Sequence, residues 1–350
     1  MKEFKSQMER EIYQQPHVLS GILPQNEIVL RELIAELKKK KPKLVYFAAR
    51  GTSDHACMYS EYLLSIVKGI PCALSLPSVI TLYDAKVDLS EALVIGVSQS
   101  GEAQDVLAVL TQANECGAIT VSVTNEKNSP MAKTAKYHLW CAAGEEKSVA
   151  ATKTFTSQLY VLASFFATWA DDKNLISLLE QVPDAVSELL ETVAPQIDAV
   201  IQRYRYMTDG FVLGRGTTYP IALEAALKLQ ETNYVRMKGY AVSDFYHGPL
   251  AQIEEGTPVI LFAAKGPCFA NAHEMLQKLD GIGAEVILVS DDAGIVCGRP
   301  LAFQIPSLES DLVSPFLFSV FAQLFACKLT EVKGLSPDHP RNLNKVTITL

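Results

Sequence analysis

The chain carries one pattern twice, in one register. An apolar run at residues 44–49 leads into Gly51, Thr52 and Ser53, and a second at 92–97 leads into Ser98, Gln99, Ser100 and Gly101. Later, residues 211–213 lead into Gly214, Arg215 and Gly216, and residues 258–264 lead into Lys265 and Gly266. Gly216 stands 165 positions after Gly51, and Gly266 stands 165 positions after Gly101. Self-similarity at a single offset across half a chain is the signature of tandem duplication. It confines the chain to two copies of one domain fold. The copies differ where it matters chemically: Ser98 and Ser100 of the first correspond to Ala263 and Lys265 of the second. One functional site on a duplicated fold is the economical expectation.

Short apolar runs alternate with helical stretches. In the first half the runs are 44–49, 71–76, 92–97 and 118–123, with helices expected from Asp54 and from Ala103. The second half repeats the rhythm through 211–213, 258–264 and 284–289. Such β-α-β alternation predicts an α/β fold of two doubly wound parallel sheets, each flanked by helices on both faces. Right-handed crossovers bring the loops at the carboxyl ends of the strands to one edge. Both hydroxyl-rich loops of the first half are therefore expected at one crevice. The expected order is a helical lead-in at 1–42, a first domain at 43–172, a helical connector at 173–207, a second domain at 208–336 and a tail at 337–350. Pro16 is expected to punctuate the lead-in, and Pro183 and Pro195 to break the connector.

A net charge of −8 argues against nonspecific binding to nucleic acid or anionic lipid. The seven cysteines, Cys57, Cys72, Cys116, Cys141, Cys268, Cys297 and Cys327, form no C-x-x-C pair. An odd number of scattered thiols suits a reducing, cytoplasmic setting and neither a disulfide framework nor a zinc site. The charged start, with Lys2, Glu3 and Lys5, is unlike a signal peptide. The longest apolar stretch, 312–329, is interrupted by Ser314, Pro315, Ser319, Gln323 and Lys328, and reads as a buried helix, not a membrane span.

A loop between strand and helix exposes unpaired N–H groups and the positive end of the helix dipole, which together hold an anion. Serine and threonine hydroxyls add donors, and glycine permits close approach. Simple helix capping explains either loop alone; two at one crevice point to a ligand phosphate. A dinucleotide site fits poorly, because Gly214 and Gly216 are followed by Tyr219 where a third glycine is needed. After that loop, Pro220 suits a first helical turn. Glu224, Lys228 and Glu231 then form a stripe that is either an exposed salt-bridged face or a catalytic one. His247, before Gly248 and Pro249, is a loop histidine, the residue type whose charge changes near neutrality. Lys345, taken alone, is an ordinary surface charge.

Several of these pieces together resemble the sugar isomerase (SIS) family. They are Gly51-Thr52-Ser53, Ser98-Gln99-Ser100-Gly101-Glu102, Val149-Ala150-Ala151-Thr152-Lys153, Ala226-Leu227-Lys228-Leu229-Gln230-Glu231, His247-Gly248-Pro249 and the tail from Arg341 to Lys345. The match extends over nearly the whole chain. It is to the isomerase half of glucosamine-6-phosphate synthase and, more closely, to the SIS-fold glucosamine-6-phosphate deaminases. The resemblance implies two SIS domains, a homodimer, no cofactor or metal, and a sugar phosphate as ligand. It implies a phosphate held by residues matching Ser53, Ser98, Gln99 and Ser100, with Gly51 and Thr52 also binding substrate and Val149 and Ala151 lining the sugar. It further implies proton transfer by Glu231 with Lys228 beside it, ring opening by His247 lent from the neighbouring subunit, and Lys345 at the open-chain carbonyl, under a closing tail.

The start Met1-Lys2-Glu3 differs from the cysteine nucleophile of an amidotransferase domain, so the expected reaction takes no ammonia from glutamine. It is glucosamine 6-phosphate plus water to fructose 6-phosphate plus ammonia. Two departures bear on the substrate: Ala103 replaces a phosphate-binding threonine, and Lys238-Gly239 replaces an acidic residue followed by alanine. A deglycase for a fructoselysine 6-phosphate-like substrate is the enzyme alternative, with Lys238-Gly239 belonging to a wider pocket. A sugar-phosphate-binding regulator is the alternative of another class, although a lead-in of about 40 residues is too short for a DNA-binding module.

Overall fold

A computed structural model describes residues 3–345; Lys2 of the charged start and the final run from Val346 to Leu350 lie outside the described residues. The chain divides into two compact units. One comprises His17–Glu146, Lys153–Glu180 and the tail from Asn344; the other comprises the residues up to Pro16, Lys147–Thr152 and Gln181–Leu343. Each contains one five-stranded, wholly parallel sheet.

The first unit is built on β1 (Leu44–Ala48), β2 (Cys72–Leu74), β3 (Ala92–Val97), β4 (Ile119–Thr124) and β5 (Tyr137–Trp140), in spatial order β2-β1-β3-β4-β5. The second is built on β6 (Asp209–Gly214), β7 (Arg236–Ala241), β8 (Pro258–Ala263), β9 (Glu285–Ser290) and β10 (Ala302–Gln304), in order β7-β6-β8-β9-β10. The two orders are the same, as the 165-residue register required. In such a sheet the strand order reverses between its first and third strands, and the crevice outside their carboxyl ends is where a ligand is held.

The central strands β3 and β4 are buried along their full length, because helices cover both faces. Ala92 and Val94 of β3 pack with Val106, Val109 and Leu110 of the Gln104–Glu115 helix around Met131. In the second unit, Leu213, Leu261 and Leu288 of successive strands pack with Met275, Leu276 and Leu279 of the Phe269–Ile282 helix.

Some expectations are corrected. Pro16 lies inside the helix Gln7–Ser20, and Pro183 inside Lys173–Thr192; neither ends its helix. An interior proline forfeits one hydrogen bond, and the buried stripe Leu175, Leu179, Val182, Val186 and Leu189 carries the second helix past it. The break falls at Val193, and Pro195 opens the next helix, Ala194–Val200. The apolar stretch near the carboxyl end is the helix Ser314–Val332. Among the described residues it alone is long and apolar enough to cross a bilayer, and 89% of its most apolar window is buried.

Candidate active site

In the first unit β1 pairs with β3 from Leu44 opposite Ala92 to Ala48 opposite Gly96. The strands end level, so the loops carrying Gly51-Thr52-Ser53 and Ser98-Gln99-Ser100-Gly101 emerge side by side where the strand order reverses. Arg50 ties them together. Its Nε donates to Oδ2 of Asp105 at 2.6 Å, Asp105 being buried in the first turn of the Gln104–Glu115 helix. Half of the Arg50 side chain stays exposed, leaving a cation beside both loops.

The hydroxyls of these loops are set up as donors. Ser98 Oγ accepts from the Gly101 N–H at 3.1 Å, and Ser100 Oγ accepts from the Glu102 N–H at 3.3 Å. Ser53 Oγ accepts from Gln158 Nε2 at 3.1 Å. Each oxygen already has a partner, and each O–H hydrogen remains to be given. Gly101 has φ +68°, and a Cβ there would overlap Ser129. Ala103 precedes the helix without capping it and has no hydroxyl to give.

The corresponding edge of the second unit is closed from within. The residue after β4 is Asn125, whose side chain turns to Ala143 and Gly144; the residue after β9 is Asp291. Asp291 is 2% exposed and its Oδ1 accepts the Lys265 N–H at 2.7 Å, so a carboxylate of the chain lies against the loop that would receive an anion. Burial pushes the Asp291 carboxyl up from its ordinary value. Arg215, Thr217, Cys268 and Asp311 line a remaining cavity of about 10 Å³, the limit for one water.

The stripe on the Tyr219–Asn233 helix of the second unit is not a solvated face. Glu224 is 1% exposed and Lys228 is fully buried. Lys228 Nζ lies 2.5 Å from Glu231 Oε2 and 3.3 Å from Glu224 Oε1, while a fifth of the Glu231 side chain remains accessible. Burial alone would lower the Lys228 pKa; the two carboxylates outweigh it and hold the ammonium above its usual range. The arrangement is a partly open carboxylate backed by a buried, fixed cation. His247 is exposed in the turn after Val242–Phe245. Lys238 is exposed on the edge strand β7, and a Cβ on Gly239 would meet Ala222 O and Leu223 Cα, both at 2.8 Å. Close packing of strand on helix explains this glycine.

Val149 and Ala151 lie in the second unit, on an irregular segment where Ser148, Ala150 and Thr152 are buried and the two alternate residues are half-buried. That alternation presents Val149 and Ala151 on one side. Lys345 is no ordinary surface charge. In the first unit its Nζ donates to Glu146 Oε2 at 2.8 Å, and Glu146 also accepts from the Thr154 N–H and Oγ1. Burial works against the Glu146 charge, but Lys345 and Thr154 prevail and hold its carboxyl below the ordinary value. Arg50, Asp105, Glu146 and Gln158 escaped sequence reasoning because their partners are set by the fold and not by spacing. All seven cysteines are free thiols. Among the described residues no cluster of three or more His, Cys, Asp or Glu side chains is arranged to hold a metal.

The glutamine–fructose-6-phosphate aminotransferase [isomerizing] of Aquifex aeolicus is 35% identical over 350 residues; the alignment takes in 99% of this chain and 58% of the relative. The chain thus spans a little over half the length of such relatives. The solved structure of the C-terminal domain of glucosamine-fructose-6-phosphate aminotransferase from Francisella tularensis superposes with a TM-score of 0.86 at 26% identity, covering 96% of this chain and 99% of that one. That of glucosamine-6-phosphate deaminase from Thermotoga maritima shares the fold, with a TM-score of 0.77 at 21% identity over 98% and 100% of the two chains. The SIS domain model matches residues 37–168 and again 210–332, one match for each parallel sheet, and the chain belongs to the SIS domain family.

Proposed function

We propose that this chain is a phosphosugar isomerase of the SIS type acting on an amino-sugar phosphate, and that its reaction is isomerising deamination of glucosamine 6-phosphate. One observation carries the phosphate part: the first sheet edge keeps Ser53, Ser98 and Ser100 with O–H groups to give, whereas the second fills the corresponding loop with Asp291. Phosphate binding at loop N–H groups and hydroxyls needs no net positive protein, consistent with the charge of −8.

In this reading Ser53, Ser98, Gln99 and Ser100 hold the phosphate, Gly51 and Thr52 also bind substrate, and Val149 and Ala151 line the sugar. His247, supplied by the neighbouring subunit of a homodimer, takes the C1 hydroxyl proton and delivers one to the ring oxygen, opening the pyranose. Glu231 then moves a proton from C2 to C1, a step that requires a positioned base. Lys228 fixes that carboxylate, and Lys345 places positive charge at the developing oxygen at C1. The resulting C2 imine takes up water and releases ammonia, leaving fructose 6-phosphate. The resemblance of residues 49–54, 149–154 and 343–347 to the deaminases supports deamination over transfer. The proposed setting is the cytoplasm, and no cofactor is invoked.

The test is release of ammonia and amines from a panel of amino-sugar phosphates and glycated amino-acid phosphates. Ammonia from glucosamine 6-phosphate is the expected result. Amine release from a fructosamine 6-phosphate alone would favour a deglycase. Binding without turnover across the panel would favour a regulatory sugar-phosphate sensor.

A further inference from the structure

Glu11 lies on the Gln7–Ser20 helix and is 3% exposed. Its carboxylate accepts from the Lys147 N–H at 2.5 Å, from the Ser148 N–H at 3.2 Å and from Ser148 Oγ. All of these residues belong to one unit. Among the described residues Glu11 has no ion-pair partner. A buried carboxylate without a cation is costly unless hydrogen-bonded, and every donor that serves this one comes from the start of a single irregular segment. The far end of that segment is held too. Gln323 Nε2 donates to Thr152 O at 3.2 Å, and Gln323 Oε1 accepts from Gln15 Nε2 at 2.9 Å. Gln15 stands one helical turn after Glu11, on the same face. Between the two anchors lie Val149 and Ala151.

We propose that Glu11, seconded by Gln15 and Gln323, is a positioning residue that fixes the 147–152 main chain and thereby sets affinity for the sugar. The proposal rests on the reading of Val149 and Ala151 as sugar-lining. A leucine in place of Glu11 would fill the same volume; what a carboxylate adds is two fixed acceptors for consecutive main-chain N–H groups. The segment has no strand or helix of its own to hold it.

The experiment compares Glu11→Ala, Glu11→Gln and Ser148→Ala with wild type in the full chain. The readouts are amide exchange over 147–152, calorimetric affinity for fructose 6-phosphate, and KM and kcat for the substrate found active. In Glu11→Ala the segment's amides should exchange about tenfold faster, and affinity should fall about tenfold, the loss expected for hydrogen bonds to a charged group. KM should rise in step while kcat stays within about threefold, the split produced when binding common to ground and transition states is lost. Glu11→Gln should recover only part of this. Its oxygen accepts the Lys147 N–H, its amide donates to Ser148 Oγ and that hydroxyl turns to Ala150 O, but the Ser148 N–H loses its acceptor. Should Glu11→Ala fail to fold, Ser148→Ala supplies the smaller lesion in the same direction. Native exchange and native affinity in Glu11→Ala, or in Ser148→Ala together with Glu11→Gln, would overturn the proposal. A wild-type protein that binds and converts no sugar phosphate would sink the functional reading instead, and the exchange contrast would then decide alone whether Glu11 orders the segment.

Discussion

Ser98 and Ser100 bond as capping serines do: each oxygen accepts a main-chain N–H two or three residues on, and its hydroxyl hydrogen is left to give. Ser100→Ala removes one donor to the phosphate and should weaken sugar-phosphate binding about tenfold or more, from the 1.5–3 kcal/mol scale of hydrogen bonds to charged groups. Lys265→Ala at the matching place should change little. The Lys265 side chain meets Asp292 only at a half-exposed 3.6 Å contact, and its N–H to Asp291 survives the substitution. Equal losses in the two variants, measured by calorimetry, would contradict a single site. Glu146 offers a pH test. Its folded-state pKa is depressed, with burial opposing and Lys345 and Thr154 prevailing. Its stabilisation is therefore full above the ordinary carboxylate value and is lost as pH falls through the folded-state value. Glu146→Gln should cost about 1–3 kcal/mol at neutral pH. Urea titrations should show the gap to wild type closing on acidification; a gap constant down to the acid limb would mean that the Lys345 pair does not contribute.

At the scale of elements, the loop after β3 depends on one backbone conformation. Gly101→Ala sets a Cβ in the left-handed region and against Ser129, whose Oγ caps the Pro130–Thr134 helix by accepting from Ala132 N–H. The expected loss is about 2–4 kcal/mol in denaturant titration; a loss below the error of the titration would show that the loop re-forms around alanine. What could be read from the sequence follows burial. β3 and β8 announced themselves because strands covered on both faces are continuous apolar runs. The edge strands β5, β7 and β10 did not, since a half-exposed edge carries residues such as His138, Lys238 and Gln304. The helix starts beside Gly51 and Pro220 were legible from glycine and proline chemistry. The burial of Lys228 was not: the same i, i+4, i+7 spacing serves a solvated face equally well, and only the packing decides. Glu11 and Glu146 were silent for a further reason. Their partners lie on main-chain amides and on a lysine far along the chain, where no local pattern points.

For the molecule as a whole, duplication has left two sheets of one topology with different chemistry. One edge keeps hydroxyl donors, while the other is sealed by a carboxylate and its unit holds the Lys228–Glu231 pair. His247 is exposed in a turn of the second unit. In the proposed homodimer each site takes Glu231 from one chain and His247 from the other. Glu231→Gln keeps the shape of the side chain and removes the base, and His247→Ala removes the ring-opening group, so each homodimer should be inactive. A mixed dimer of the two variants contains one site with both residues native and one with neither. Coexpression with different tags and isolation of the doubly tagged species should restore up to about half of native turnover, since a two-fold assembly then holds one whole site of two. Homodimers that remain folded and dimeric by gel filtration, beside a heterodimer as inactive as they are, would mean that His247 serves its own chain. Turnover near native in the His247→Ala homodimer would remove the histidine from the reaction altogether, leaving ring opening to solvent or to another side chain.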